Sequence, residues 1–279
     1  METLELTQDN YYSKEADLLY MSTSQFKDFI KCEAYALAKI KGEWVEEKTD
    51  AMLIGSYVDS YFSGELEQFK QEHPEIINTR TGELKAQFQK AEELIKSILA
   101  DDMLYEYLMG AHQVIYTGEI AGVPFKGKVD SDFDDKIVDG KVMKDLEPVW
   151  AKNQYGGYSK VNFAIAQRYD IQGAIYQEIK RQNSGKKVPF ILGVITKEKV
   201  PSKALIEIDN DLLEIALNEV KEKAPHFQDI KLGLIQPTYC GKCDYCKSVL
   251  NVNKVVSIHE YDPSDYSDYG NEENWYKNC

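Results

Sequence analysis

The sequence contains no apolar run approaching the about 18 residues that a membrane-crossing helix needs, which argues against an integral membrane protein. Its opening stretch, METLELTQDNYYSKEADLLY, lacks the basic-then-apolar profile of a secretory leader, so the expectation is a soluble cytoplasmic protein with no membrane partner. Positive charge is also scarce. The net charge is −14, which on its own speaks against phosphate binding, because nucleic-acid surfaces want Lys and Arg. That objection weakens on inspection. Residues 260–279 hold six acids (Glu260, Asp262, Asp265, Asp268, Glu272, Glu273) against one lysine, and a metal-dependent site collects carboxylates while its ion supplies the positive charge.

Paired cysteines are lacking too. The five present (Cys32, Cys240, Cys243, Cys246, Cys279) are odd in number, which argues against a disulfide framework in an unsecreted chain. Cys279 is read as free. The four histidines, at 73, 112, 226 and 259, have no ligand spacing and are read as structural or surface residues. There are no internal repeats and no linker long enough to force a boundary. With 279 residues, 43% of them hydrophobic, the chain can bury a sizeable core. The expectation is one domain over 1–250 and an acidic aromatic tail over 251–279.

Periodicity predicts helices over 22–40, 51–63, 83–109, 161–181 and 211–224. Strands are expected at 112–120, 123–133, 136–142, 189–196 and 203–209. The first three strands, turning at Gly122 and Asp134–Asp135, read as an antiparallel meander. Asp130 falls near the end of one of them, and Asp139-Gly140-Lys141 lies on the next. Residues two apart on a strand share a face, so Asp139 and Lys141 point the same way and the tight turn brings Asp130 near them. Two carboxylates beside a lysine suit Mg²⁺, which takes oxygen ligands, polarises a phosphoryl group and activates water. Taken alone, this spacing is equally compatible with a solvated charged hairpin.

The segment GEIAGVPFKGKVDSDFDDKIVDGKVMKD (118–145) resembles the core of the PD-(D/E)XK nuclease superfamily, in particular its RecB-like and RecE-like (exodeoxyribonuclease VIII-like) phage exonucleases. The resemblance implies an α/β fold, a restriction-endonuclease-like core with a central mixed sheet flanked by helices. It assigns metal binding (Mg²⁺ or Mn²⁺) to Asp130, Asp139 and the Gly140 carbonyl, and catalysis to Lys141. Glu119 on the preceding strand is either an additional acid or an exposed strand carboxylate. Downstream, Gln172-Gly-Ala-Ile-Tyr176 is similar to the family's Q-x-x-x-Y, whose Gln172 and Tyr176 share a helix face and either orient the carboxylates or contact the DNA strand. Upstream, Gly55-Ser-Tyr-Val-Asp59 is similar to a G-x-x-x-H helix but carries Asp59 where the family has His. Asp59 is thus either a third carboxylate ligand or a position that has lost its metal role.

The run Cys240-x-x-Cys243-x-x-Cys246 has the spacing at which neighbouring thiolates reach one metal centre, and Cys32 is the natural fourth ligand. It resembles the iron–sulfur nucleases of the RecB-like group, in which an early cysteine joins a late trio and staples the ends of the domain. The expected occupant is a [4Fe–4S] cluster; the last gap is shorter here, so Zn²⁺ stays open as the alternative. The resemblance as a whole implies a deoxyribonuclease acting on DNA, with a single-strand annealing protein as a possible partner and a homo-oligomeric assembly. The competing reading is a catalytically inactive, metal-stapled DNA-binding module on the same fold.

Overall fold

The computed structural model describes residues 4–152, 158–252 and 255–259. The acidic tail from 260 onward, with Cys279, and the Gly156–Gly157 segment lie outside these residues. In chain order the elements are α1 (Lys14–Leu19), β1 (Met21–Ser22), α2 (Thr23–Lys31), α3 (Glu33–Lys41), α4 (Asp50–Phe62), α5 (Leu66–Glu72), α6 (Ala86–Leu99), α7 (Asp102–Leu108), β2 (Ala111–Ile120), β3 (Val123–Asp132), β4 (Ile137–Met143), β5 (Val149–Lys152), β6 (Tyr158–Val161), α8 (Phe163–Ala166), α9 (Tyr169–Ser184), β7 (Phe190–Thr196), β8 (Lys203–Ile208), α10 (Asn210–Lys231) and α11 (Asp244–Val249). A 3-10 turn, Pro74–Ile76, follows α5.

Contacts group the chain into two compact units: Met1–Glu46 with Ile120–Pro124 and Lys221–Cys279, and Glu47–Glu119 with Phe125–Val220. The larger unit is an α/β layer structure around a mixed sheet. β3 pairs antiparallel with β4, β4 pairs parallel with β7, and β7 pairs antiparallel with β8, while β2 pairs with β3. A parallel neighbour needs a crossover, and here α8 and α9 fill it. β7 is buried along its whole length, as befits a central strand. Its core packs α4, α6 and α7 through Tyr57, Phe88, Leu94, Ile98 and Leu104 against Val138, Ile191 and Ile195. In the smaller unit, Phe26 and Phe29 of α2 meet Phe227, with ring centroids 5.3 and 5.0 Å apart. The buried ammonium of Lys231 there donates to the Tyr20 carbonyl (2.8 Å) and Gln25 Oε1 (3.0 Å), which satisfies a charge that would be costly unpaired.

Three expected helices prove to be broken, each at an identifiable residue. The 22–40 helix divides at Cys32, whose backbone is extended (φ −167, ψ 116). The 83–109 helix divides at Ala100–Asp101, where the Asp101 carboxylate caps α7 by accepting from Leu104 N (3.1 Å). The 161–181 helix divides before Arg168, which is left-handed (φ 54) and held by Asp170 and Glu219. The 211–224 helix runs further than expected, to Lys231, with Pro225 inside it. Among the described residues no helix is long and apolar enough to cross a membrane.

Candidate functional site

The alternation of β3 and β4 places the acids as the spacing predicted. Ser131 lies opposite Val138 across the hairpin, and Asp130 and Asp139 lie close enough for the charge of one to be felt by the other. Asp130 Oδ2 accepts from Gly140 N (3.2 Å), so the strand that carries one acid also holds the other. Asp139 is almost wholly buried. Its Oδ1 accepts from Gln172 Nε2 on α9 (2.8 Å). Its Oδ2 accepts no well-angled hydrogen bond among the described residues and lies against the ammonium of Lys141. Lys141 Nζ also donates to the Gly140 carbonyl (3.2 Å) and sits 5.5 Å from the centre of the Tyr169 ring.

Electrostatics follow from this crowding. Burial pushes the Asp130 carboxyl well above the usual carboxylate range, the charge of Asp139 adds to the shift, and Lys141 opposes it. Asp59 is raised in the same way, chiefly by the walls around it, with Lys141 and Lys128 pulling down and Asp139 pushing up. Burial would lower Lys141, but Asp139 and Asp130 outweigh it and hold the ammonium above the ordinary lysine value. A cation beside them favours the ionised form of these carboxyls.

These groups open into a cavity of about 510 Å³. Asp130, Gly140, Lys141 and Asp59 line it with Tyr169, Lys197 and His112, and the rest of the lining is largely apolar, including Met52, Phe62, Ile98 and Leu108. Asp59 shares the cavity, yet the three aspartates do not form one tight ligand set; among the described residues the four cysteines alone do so. Gln172 reaches Asp139, and Tyr176 reaches the backbone beside Asp130. Its hydroxyl donates to the Lys128 carbonyl (3.1 Å), two residues before Asp130, and its ring fills the space where a Cβ at Gly127 would stand. Glu119 is exposed. Its backbone N–H donates to Gln182 Oε1 (2.9 Å), its carbonyl accepts from Gln182 Nε2 (2.8 Å), and it is not among the residues lining the cavity.

His112, read from the sequence as a structural or surface residue, lies in the cavity wall. A carbonyl can only accept, so its Nδ1–H donates to the Asp130 carbonyl (3.2 Å). The next residue, Gln113, is left-handed (φ 54) inside a strand, an uncommon conformation for a non-glycine residue. Single-residue periodicity has no signal for it.

In the smaller unit the four sulfurs of Cys32, Cys240, Cys243 and Cys246 lie within 4.8 Å of one another, so the structure brings together all four predicted ligands. Cys32 and Cys246 Sγ are 3.5 Å apart, Cys240 and Cys246 3.9 Å. The turn at Gly241 (φ 65) aims the N–H groups of Lys242 and Cys243 at Cys240 Sγ, both at 3.4 Å. Burial opposes ionisation of the Cys240 thiol, but those N–H groups bring it down to about 7, whereas burial and the neighbouring thiols push Cys246 up. Four sulfurs this close could hold a metal ion.

Comparison with known proteins agrees with this geometry. The profile of a family described as "PDDEXK-like domain of unknown function (DUF3799)" matches residues 22–249. The chain belongs to this PDDEXK-like family. A solved structure is similar over most of the chain: the 2.19 Å crystal structure of a candidate exonuclease from Eubacterium rectale is 42% identical, with a TM-score of 0.86, over 92% of this chain and 97% of that one. No curated protein matches significantly. The matched span takes in the sheet that carries Asp130, Asp139 and Lys141 and all four clustered cysteines.

Proposed function

We propose that this chain is an Mg²⁺- or Mn²⁺-dependent exodeoxyribonuclease that resects double-stranded DNA for phage-type recombination and leaves single strands for an annealing protein. One observation carries the reading: the ammonium of Lys141 rests on both Asp139 Oδ2 and the Gly140 carbonyl, beside Asp130, so the oxygens that the superfamily gives to a divalent ion already cradle a cation here. The donor set fits a hard cation, being all oxygen and containing one carboxylate oxygen with no well-angled hydrogen-bond partner.

Asp130, Asp139 and the Gly140 carbonyl would hold the ion, with Asp59 across the cavity. When bound, it supplies Lewis acidity to the phosphoryl group and activates water. Gln172 occupies Asp139 Oδ1 and leaves Oδ2 directed at the cation. Lys141 brings a fixed positive charge to the phosphoryl oxygens as negative charge develops in the transition state. Tyr176 and His112 hold the backbone of β3 on either side of the acid, at Lys128 and at Asp130 itself. The apolar walls lower the local dielectric and strengthen each of these interactions.

End-labelled linear DNA and closed circular DNA, each with Mg²⁺ and with EDTA, test this. Linear DNA should shorten from its ends, circles should survive, and EDTA should stop the reaction. Nicked circles would make the enzyme an endonuclease, and inert linear DNA would favour the inactive DNA-binding module.

For the cysteines the favoured occupant is a single Zn²⁺. Four thiolates about 2.3 Å from one tetrahedral ion stand about 3.8 Å apart, close to the 3.5 and 3.9 Å separations found. In a [4Fe–4S] cluster each thiolate binds its own iron, and the cluster holds the sulfurs further apart.

A further inference from the structure

Helix α4 turns a stripe spaced three and four residues apart toward the cavity: Met52, Gly55, Ser56 and Asp59. Its other face, with Leu53, Ile54 and Tyr57, is buried in the core. Gly55 is anomalous on that stripe. Glycine in a helix interior is among the least favourable choices, and it persists where another backbone packs close or where a positive φ is required. Neither applies here. Gly55 is helical, its φ is not in the left-handed region, and a Cβ built on it meets nothing within 4 Å. By contrast Gly173, on α9, could not carry a Cβ without striking Phe190 and Leu213. Nothing within the chain therefore accounts for the missing side chain at 55, and the space it leaves belongs to the cavity that also holds Asp130, Lys141 and Asp59.

We propose that Gly55 is a specificity-determining position: it keeps one wall of the cavity bare so that the sugar of a bound nucleotide lies against the α4 backbone while its phosphate reaches Asp130 and Lys141. The inference rests on the nuclease reading and adds to it a residue that gauges the substrate. The neighbouring groups suit that ligand. The exposed Ser56 lies beside Gly55 on the same face, with the exposed Met52 one turn before it, and Lys197 adds a cation to the lining. A volume of about 510 Å³ accommodates one nucleotide, within the range of small-ligand sites of about 300–1,000 Å³.

The test separates folding from substrate fit, because both effects have predicted signs. Gly55→Ala and Gly55→Leu replace a poor helix former with good ones in open space, so both should raise the melting temperature, by about 2–4 °C for a chain of this size. On linear DNA, kcat/KM should fall with side-chain size, less than about threefold for Ala and at least about tenfold for Leu, carried mainly by KM, since a few methylenes in a substrate site are worth about 10–200-fold. Fluorescence anisotropy with a labelled oligonucleotide in Ca²⁺, which needs no turnover, should show the same graded loss. A Leu variant that melts higher, binds DNA like the wild type and cleaves it equally well overturns the proposal while leaving the nuclease reading intact. A wild-type protein without cleavage or oligonucleotide binding overturns the nuclease reading itself. A Leu variant that melts lower shows that the space at 55 is structural and overturns the inference as well.

Discussion

The carboxylate site and the thiol site both gather acidic ligand atoms, but they are built in opposite ways. The carboxylates come from neighbouring strands. Asp130 and Asp139 are joined by a hairpin, and each has partners within the chain: Gly140 N for one, Gln172 and Lys141 for the other. The thiols come from distant parts of the sequence, Cys32 and Cys246 being 214 residues apart, and their contacts are with one another, with N–H groups at 3.4 Å and with the Thr238 carbonyl at 4.0 Å. A site with an internal ammonium and an internal amide can keep its shape without an exogenous ion, whereas the four thiols have no internal cation among them. Removing the ion should therefore cost the first site activity and the second site stability.

The sharpest break in the comparison comes from Asp139→Ala and Lys141→Ala. Each should reduce DNA cleavage by about 10²–10³-fold or more, the scale expected when a transition-state charge partner is lost, with circular dichroism unchanged. Near-wild-type cleavage by purified Asp139→Ala would remove the site assignment.

The thiol site should show the reverse. Cys32→Ser and Cys243→Ser should lose the same ion, measured as one equivalent of zinc in a colourless wild-type protein, and lower the melting temperature equally. A brown anaerobic preparation would replace zinc with iron, and zinc unchanged in Cys32→Ser would remove the early cysteine from the set.

A smaller effect is expected at Gln172, which acts through Asp139. Gln172→Ala should raise the Mg²⁺ requirement by about 10–100-fold, the usual cost of losing a partner that orients a ligand. An unchanged metal titration would leave Gln172 a packing residue.

The smallest is a pH effect. The Asp130 carboxyl is raised in the folded chain, so the native state keeps a proton that the unfolded chain releases. That contribution to stability is complete below the unfolded value, about 3.9, and is lost as pH rises through the folded value. In EDTA the wild type should therefore lose stability across that interval, and Asp130→Asn should lose less. Parallel melting curves for the two proteins would show that the carboxyl is not raised.

What could be read in advance depended on the range of the forces involved. β3, β4 and β7 were legible because alternation and tight turns are local, and Asp139 with Lys141 followed from the two-residue repeat of a strand. The break at Cys32 was invisible because the helical apolar spacing runs straight across it; only the remote Cys240–Cys246 turn gives that residue a reason to leave the helix. Glu119, placed on a strand correctly, sits away from the cavity because its backbone is tied to Gln182 at the end of α9. His112 was missed because its partner is a main-chain carbonyl, and no residue type at any spacing announces a carbonyl.

The separation of Cys32 from its partners also sets an order of events in the cell. A ribosome adding about 5–20 residues per second exposes Cys32 and then takes about 10–40 s to deliver Cys246, 214 residues later. The four-sulfur set of the smaller unit cannot be complete before Cys246 has been made. A chain truncated before Cys240 can form the strands that carry Asp130 and Asp139 but can never assemble that set.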